Sequence, residues 1–257
     1  MDNNIFNALL LSFLAGSATA LGGALAFVIK KENLSALAVG LGFSAGVMIY
    51  VSFMELLPQG MQKLAALYGA KTGEVWGAGL FFAGILTAWA IDRFLPSHHV
   101  ENRTLDVGHK LKQTGLFTAF ALAVHNFPEG LATFMSAADN LTLGLSVAVA
   151  VAVHNVPEGV AVALPVFHAT GSRRKAFIYS ALSGLAEPLG ALAGYAVLSA
   201  LLHAAALGVL FAWTAGLMVY LALDELLPTA HEYGDGHQVI GGIIGGMAVM
   251  AAALAVF

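Results

Sequence analysis

The chain has 257 residues, of which 59% are hydrophobic and 10% charged, and its mean hydropathy is +0.82. An ordinary soluble domain is about 25% charged, so this chain cannot coat a water-facing surface; a soluble enzyme, a nucleic-acid binder and a disordered chain are excluded. The absence of cysteine removes disulfides, thiolate metal sites and cysteine nucleophiles. The net charge of −4 informs only through where the charges stand.

Apolar segments long enough to cross a bilayer, about 20 residues each, follow one another at about 5–29, 34–57, 75–95, 115–137, 141–166, 175–201, 206–228 and 238–257. They predict an all-α, polytopic membrane protein with eight transmembrane helices forming one domain over 1–257. Spans one to three occupy about 5–95, spans four and five about 115–166, and spans six to eight about 175–257, with a loop at about 96–113. The short alternating segments of a membrane barrel do not occur. Ala18-Thr19-Ala20 resembles a signal-cleavage site, but no basic residue precedes Lys30, so 5–29 is expected to stay as the first span.

All eleven Lys and Arg residues lie in loops or at span ends. Lys30 and Lys31 follow span one; Arg93, Arg103, Lys110 and Lys112 follow span three; Arg173, Arg174 and Lys175 follow span five. Only Lys63 and Lys71 fall on the opposite side. The positive-inside rule makes the richer side cytoplasmic and places both termini outside.

Two internal repeats are present. Ala123-Val124-His125-Asn126-Phe127-Pro128-Glu129-Gly130 recurs as Ala152-Val153-His154-Asn155-Val156-Pro157-Glu158-Gly159 on the next, opposed span. Ala45-Gly46-Val47-Met48-Ile49-Tyr50 with Glu55-Leu56-Leu57-Pro58 recurs as Ala215-Gly216-Leu217-Met218-Val219-Tyr220 with Glu225-Leu226-Leu227-Pro228, again on opposed spans. Repeats of inverted topology, here in the order 3+2+3, let a transporter expose a midplane site to either side in turn.

Glu55, His125, Glu129, His154, Glu158, Glu187, Asp224 and Glu225 fall inside or at the edge of the spans, and no span interior offers a Lys or Arg to pair with them. An ionised side chain at the bilayer centre costs about 2.5–3.5 kcal/mol, so either these carboxylates are protonated or an external cation neutralises them. The i, i+4 spacing turns His125 and Glu129 to one helix face, and His154 and Glu158 likewise. Two imidazoles with two carboxylates suit zinc or ferrous iron. Asn126 and Asn155 add amide oxygens beside them, and Glu187, before Pro188, a further carboxylate. Pro128 and Pro157 lack an N–H, which predicts a kink and freed carbonyls at the ligand level, and Gly130 and Gly159 predict close helix approach. A lone intramembrane histidine is commonly hydrogen-bonded packing; two copies at identical spacing on successive spans are not. His98, His99, His109, His231 and His237 read as solvated, and Asp92 beside Arg93 as an interfacial pair.

These paired His-Asn-x-Pro-Glu-Gly motifs, with Ser183-Gly184-Leu185-Ala186-Glu187-Pro188, resemble the ZIP (Zrt/Irt-like) metal transporters over essentially the whole chain, and among them the bacterial zinc-uptake branch. The resemblance implies import of zinc, with Fe²⁺, Mn²⁺, Co²⁺ and Cd²⁺ as further substrates, across the cytoplasmic (inner) membrane. It implies a binuclear site: His125, Glu129, His154 and Glu158 at one position, Asn126, Asn155 and Glu187 at the other, with Glu129 and Glu158 bridging. It places Glu55 toward the outer end of span two and Asp224, Glu225 and, more weakly, His231 on the path to the cytosol. Divalent metal ions and membrane lipid are the expected partners, nucleic acid is not, and a homodimer is the assembly the family suggests. No cofactor or catalytic residue is expected. Two other functions remain on the residues alone: a proton or monovalent-cation antiporter, and an intramembrane metal-dependent hydrolase, which would carry the His-Glu-x-x-His motif missing here.

Overall fold

The computed structural model describes residues 3–30, 33–94, 107–139, 141–201 and 204–256. Eleven α-helices account for nearly all of them, and the described residues contain no strand. Span one is α1 (Asn3–Ala24); span two is α2 (Leu34–Val51) continued by α3 (Leu57–Tyr68); span three is α4 (Ala70–Phe94). Spans four and five are α5 (Val107–Asp139) and α6 (Leu141–Thr170); span six is α7 (Arg173–Gly184) and α8 (Ala186–Leu201). Span seven is α9 (Ala204–Leu221) with α10 (Leu227–Tyr233), and span eight is α11 (Gly236–Val256). Seven helical segments are long and apolar enough to cross a membrane. The eighth span, α5, has 33 residues and packs among them.

Several helices outrun the hydropathy boundaries. The segment Leu34–Tyr68 is 35 residues where the apolar signal stops at 57, and α5 begins at Val107 rather than about 115. Hydropathy registers contact with lipid, whereas helical hydrogen bonding continues into water: 33 residues at about 1.5 Å each give about 50 Å, against a hydrocarbon core of about 30 Å. Residues 95–106, with His98, His99 and Arg103, lie outside the described residues; for His109, Lys110 and Lys112 only the backbone in α5 is described.

Spans two and seven share a device not visible in their composition. Between α2 and α3, Ser52–Leu56 forms a π-helical turn in which Leu57 N–H donates to Ser52 O; between α9 and α10, Ala222–Leu226 does the same, with Leu227 N–H donating to Ala222 O. In each, proline (Pro58, Pro228) is the second residue of the following helix. Its ring has no N–H and crowds the carbonyl four residues back, and the wider π turn accommodates it. By contrast, α5 and α6 remain helical through Pro128 and Pro157.

The helices form two packed groups. In one, α1 packs on α5, α6, α7 and α8, and α5 on α6 and α8. In the other, α2 packs on α10 and α11, and α3, α4 and α9 pack on one another. Contacts of α2 with α6 and of α5 with α9 form the seam between them. The first group is drawn together at glycine: a Cβ on Gly130 would lie 1.9 Å from Glu187 O, and one on Gly159 1.9 Å from Thr19 O. Side-chain bonds add to it: Ser12 Oγ donates to Gly130 O (3.2 Å) and Ser180 Oγ to Thr19 O (2.7 Å). Residues 5–29 are thus built into the bundle, with Ala15, Ala18 and Thr19 buried.

Candidate metal centre

The first group carries His125, Asn126 and Glu129 on α5, His154, Asn155 and Glu158 on α6, and Glu187 in the first turn of α8. The break at Leu185, whose N–H closes α7 by donating to Ala181 O (3.1 Å), sets Glu187 and Pro188 at the start of a new helix facing α5. All seven side chains are buried, none more than 4% exposed.

The two motifs interlock across the helix pair. Spacing along the chain pairs His125 with Glu129, but His125 Nε2 lies 3.7 Å from Glu129 Oε2 and only 2.8 Å from Glu158 Oε1. His154 Nε2 lies 3.1 Å from both Glu129 oxygens. Each imidazole therefore meets the carboxylate of the opposed helix, because antiparallel packing brings the two faces together at one level. Ligand atoms of His125, Glu129 and Glu158 all fall within 4.8 Å of one another. In the orientation that satisfies both ends of its amide, Asn126 donates to Leu122 O (2.8 Å) and Glu158 Oε2 (3.1 Å).

Asn155 Nδ2 donates to Ala15 O of α1 (2.9 Å) and to Glu187 Oε1. Its own Oδ1 and Glu187 Oε2 are buried acceptors without a donor, and Nδ1 of both His125 and His154 has no partner either. A buried acceptor normally finds a donor; several left over beside three carboxylates, with no lysine or arginine bridged to them among the described residues, make a set of donor atoms suited to a cation.

A cleft with about 500 Å³ of atom-free space reaches this cluster, lined by Glu55 and Gln59 of spans two, Thr214 and Phe211 of α9, and Glu129 and His154 at the cluster itself. Glu55 thus stands on an approach to the site, on the π turn of span two. Asp224 and Glu225 occupy the other π turn, and their ligand atoms gather with Asp92 within 4.8 Å. Asp92, expected to pair with Arg93 at the interface, is 7% exposed and accepts from Tyr220 Oη at 3.4 Å. This meeting depends on α4 packing against α9, a contact between distant spans that no local pattern announces. His231 is apart from the acids' hydrogen bonding: its Nδ1 pairs with Leu227 O of its own helix at 2.9 Å, and it is exposed.

Eight helical spans, inverted repeats and a buried cluster of imidazole, carboxylate and carboxamide, with no Lys or Arg paired to it among the described residues, are the features of a polytopic membrane transporter. A family profile described as ZIP Zinc transporter matches residues 96–254. The chain is 53% identical to a protein called Zinc transporter ZupT from Chlorobium phaeovibrioides, covering 98% of each. It is 48% identical to one of that name from Campylobacter jejuni (97% and 96% covered) and 47% to one from Streptococcus mutans (100% of each). The chain belongs to the ZIP zinc transporter family.

Proposed function

We propose that the protein imports Zn²⁺ into the cytoplasm across the cytoplasmic (inner) membrane, with both termini outside, through a binuclear site. The observation that carries this is the buried cluster on α5, α6 and α8, rich in acceptors and without a Lys or Arg partner among the described residues. In this reading His125, Glu129, His154 and Glu158 hold one metal and Asn126, Asn155 and Glu187 a second, with Glu129 and Glu158 shared. The orphaned Asn155 Oδ1 and Glu187 Oε2 support the second position. Nitrogen and oxygen donors without thiolate also accept Fe²⁺, Mn²⁺, Co²⁺ and Cd²⁺, because raw affinity follows the metal more than the site.

Zinc enters the cleft at Glu55, exchanges its water for the buried ligands, and leaves past Asp92, Asp224 and Glu225. Every proposed ligand lies in the first packed group, so movement of that group along the α2–α6 and α5–α9 seam carries the intact site between the two sides. The membrane potential favours this direction: about 2.3 kcal/mol per charge per 100 mV is roughly 4.6 kcal/mol for a divalent ion. No Gly-x-x-x-x-Gly-Lys-Ser/Thr loop for ATP occurs in the chain.

The test is zinc influx into sealed liposomes with a trapped fluorescent chelator, comparing wild type, Glu129→Ala and Lys71→Ala. Saturable influx in wild type and Lys71→Ala, lost in Glu129→Ala, is expected. Equal flux in all three refutes transport through this site, and proton or sodium flux without zinc flux would favour the antiporter.

A further inference from the structure

Glu55 is held in place. Gln59 Nε2 donates to its Oε1. Both side chains are half-buried, and both line the cleft at whose inner end Glu129 and His154 lie. Glu55 lies within the π turn and Gln59 in the first turn of α3, on the other side of Pro58, so the widened turn sets the separation of the two residues.

We propose that Gln59 is a positioning residue for metal capture: it orients the Glu55 carboxylate into the cleft and sets the affinity of the first encounter with the divalent cation. The proposal rests on the importer reading. A free glutamate at a half-exposed site samples many rotamers, and a cation must order it on arrival; an amide donor does that ordering beforehand. The amide is also neutral. With one carboxylate at the mouth, zinc is held firmly enough to enter and loosely enough to move on, the balance any permeation path needs. The inverted repeat isolates the feature: Glu225-Leu226-Leu227-Pro228 is followed by Thr229 where Glu55-Leu56-Leu57-Pro58 is followed by Gln59. Glu225 has Asp92 and Asp224 for company instead. At the position equivalent to Gln59 the second repeat thus carries a hydroxyl and no amide.

Zinc influx into proteoliposomes separates KM from kcat. Gln59→Met keeps the volume and loses the donor; KM should rise about tenfold, the scale of one charge-assisted hydrogen bond, with kcat unchanged. Gln59→Glu should move KM the other way and lower kcat, since two acids retain the ion. A side chain with only a structural role would not move KM in opposite directions. In a Glu55→Gln background, Gln59→Met should add nothing. A Gln59→Met KM within twofold of wild type, or the same rise in KM with Glu55→Gln present, overturns the proposal. Absence of influx in wild type would instead overturn the importer reading.

Discussion

The packing of α8 on α5 through Gly130 gives the sharpest prediction. In Gly130→Ala the new methyl would meet Glu187 O at 1.9 Å and Glu187 Cα at 2.5 Å. The obstacle is backbone, which cannot rotate aside as a side chain would. Ordinary contact begins near 3.4 Å, so the helices must separate by about 1.5 Å (3.4 minus 1.9). Overpacking of this kind costs about 1–3 kcal/mol, which a bundle of this size survives. The function should not, because metal–ligand distances tolerate only about 0.2 Å and the displaced residue is Glu187 itself. Purified Gly130→Ala should still fold, but saturating zinc should no longer raise its melting temperature. In wild type, zinc at about 100 times its Kd adds about 2.7 kcal/mol. Influx should fall to about a tenth or less, one decade per 1.4 kcal/mol. Gly241→Ala, where nothing lies within 4 Å of the added methyl, should match wild type in both assays. Wild-type zinc stabilisation and influx in Gly130→Ala would show that the position of Glu187 does not matter to the site.

Ser44 Oγ of α2 donates across the seam to Pro157 O at 2.6 Å, next to Glu158. Ser44→Ala should weaken this arrangement by about 1 kcal/mol, shifting the balance between states about fivefold and slowing labelling of a cleft thiol introduced as Thr214→Cys in this cysteine-free chain; unchanged labelling would remove Ser44 from the seam's energetics. Zinc binds only deprotonated imidazole and carboxylate, so influx should fall as external pH drops from about 7.5 to about 5.5, and a steady rise would refute simple competition. A peptide tag at either terminus should be reached by antibody from outside intact spheroplasts, and protection of both tags would invert the topology.

What could be read from sequence is what lipid makes expensive. Charged and imidazole side chains in apolar spans announce themselves, and the repeated His-Asn-x-Pro-Glu-Gly singles out the residues that α5 and α6 bring together. The all-α membrane architecture followed from composition in the same way. Pairings set by how distant spans pack were hidden: His125 with Glu158, Asp92 with Asp224 and Glu225, and Ser44 with Pro157. His168 was missed for the same reason; it is buried, its Nδ1 beside Leu164 O (2.9 Å) and its Nε2 beside Asn33 O (3.3 Å), joining α6 to the start of α2. Helix ends beyond the bilayer were also hidden, since polar residues such as Gln59, Gln62 and Lys63 in α3 continue a helix without an apolar signal.

The two π turns join these levels. The same four residues, Glu-Leu-Leu-Pro, recur at 55–58 and 225–228 on opposed spans, and the backbone answers with the same widened turn at both. Each turn packs against the other repeat's helix, Ser52–Leu56 on α9 and Ala222–Leu226 on α2, so the pair is symmetric in backbone. It is not symmetric in charge. At one turn a single carboxylate accepts from a neutral amide; at the other, the carboxylates of Asp92, Asp224 and Glu225 gather. On the proposed path from the first turn toward the second, a cation would meet acids in greater number as it leaves the buried cluster. For the importer reading, that gradient acts in the same sense as the membrane potential, and it arises from neighbours of the repeated motif (Gln59, Asp92, Asp224) rather than from the motif itself.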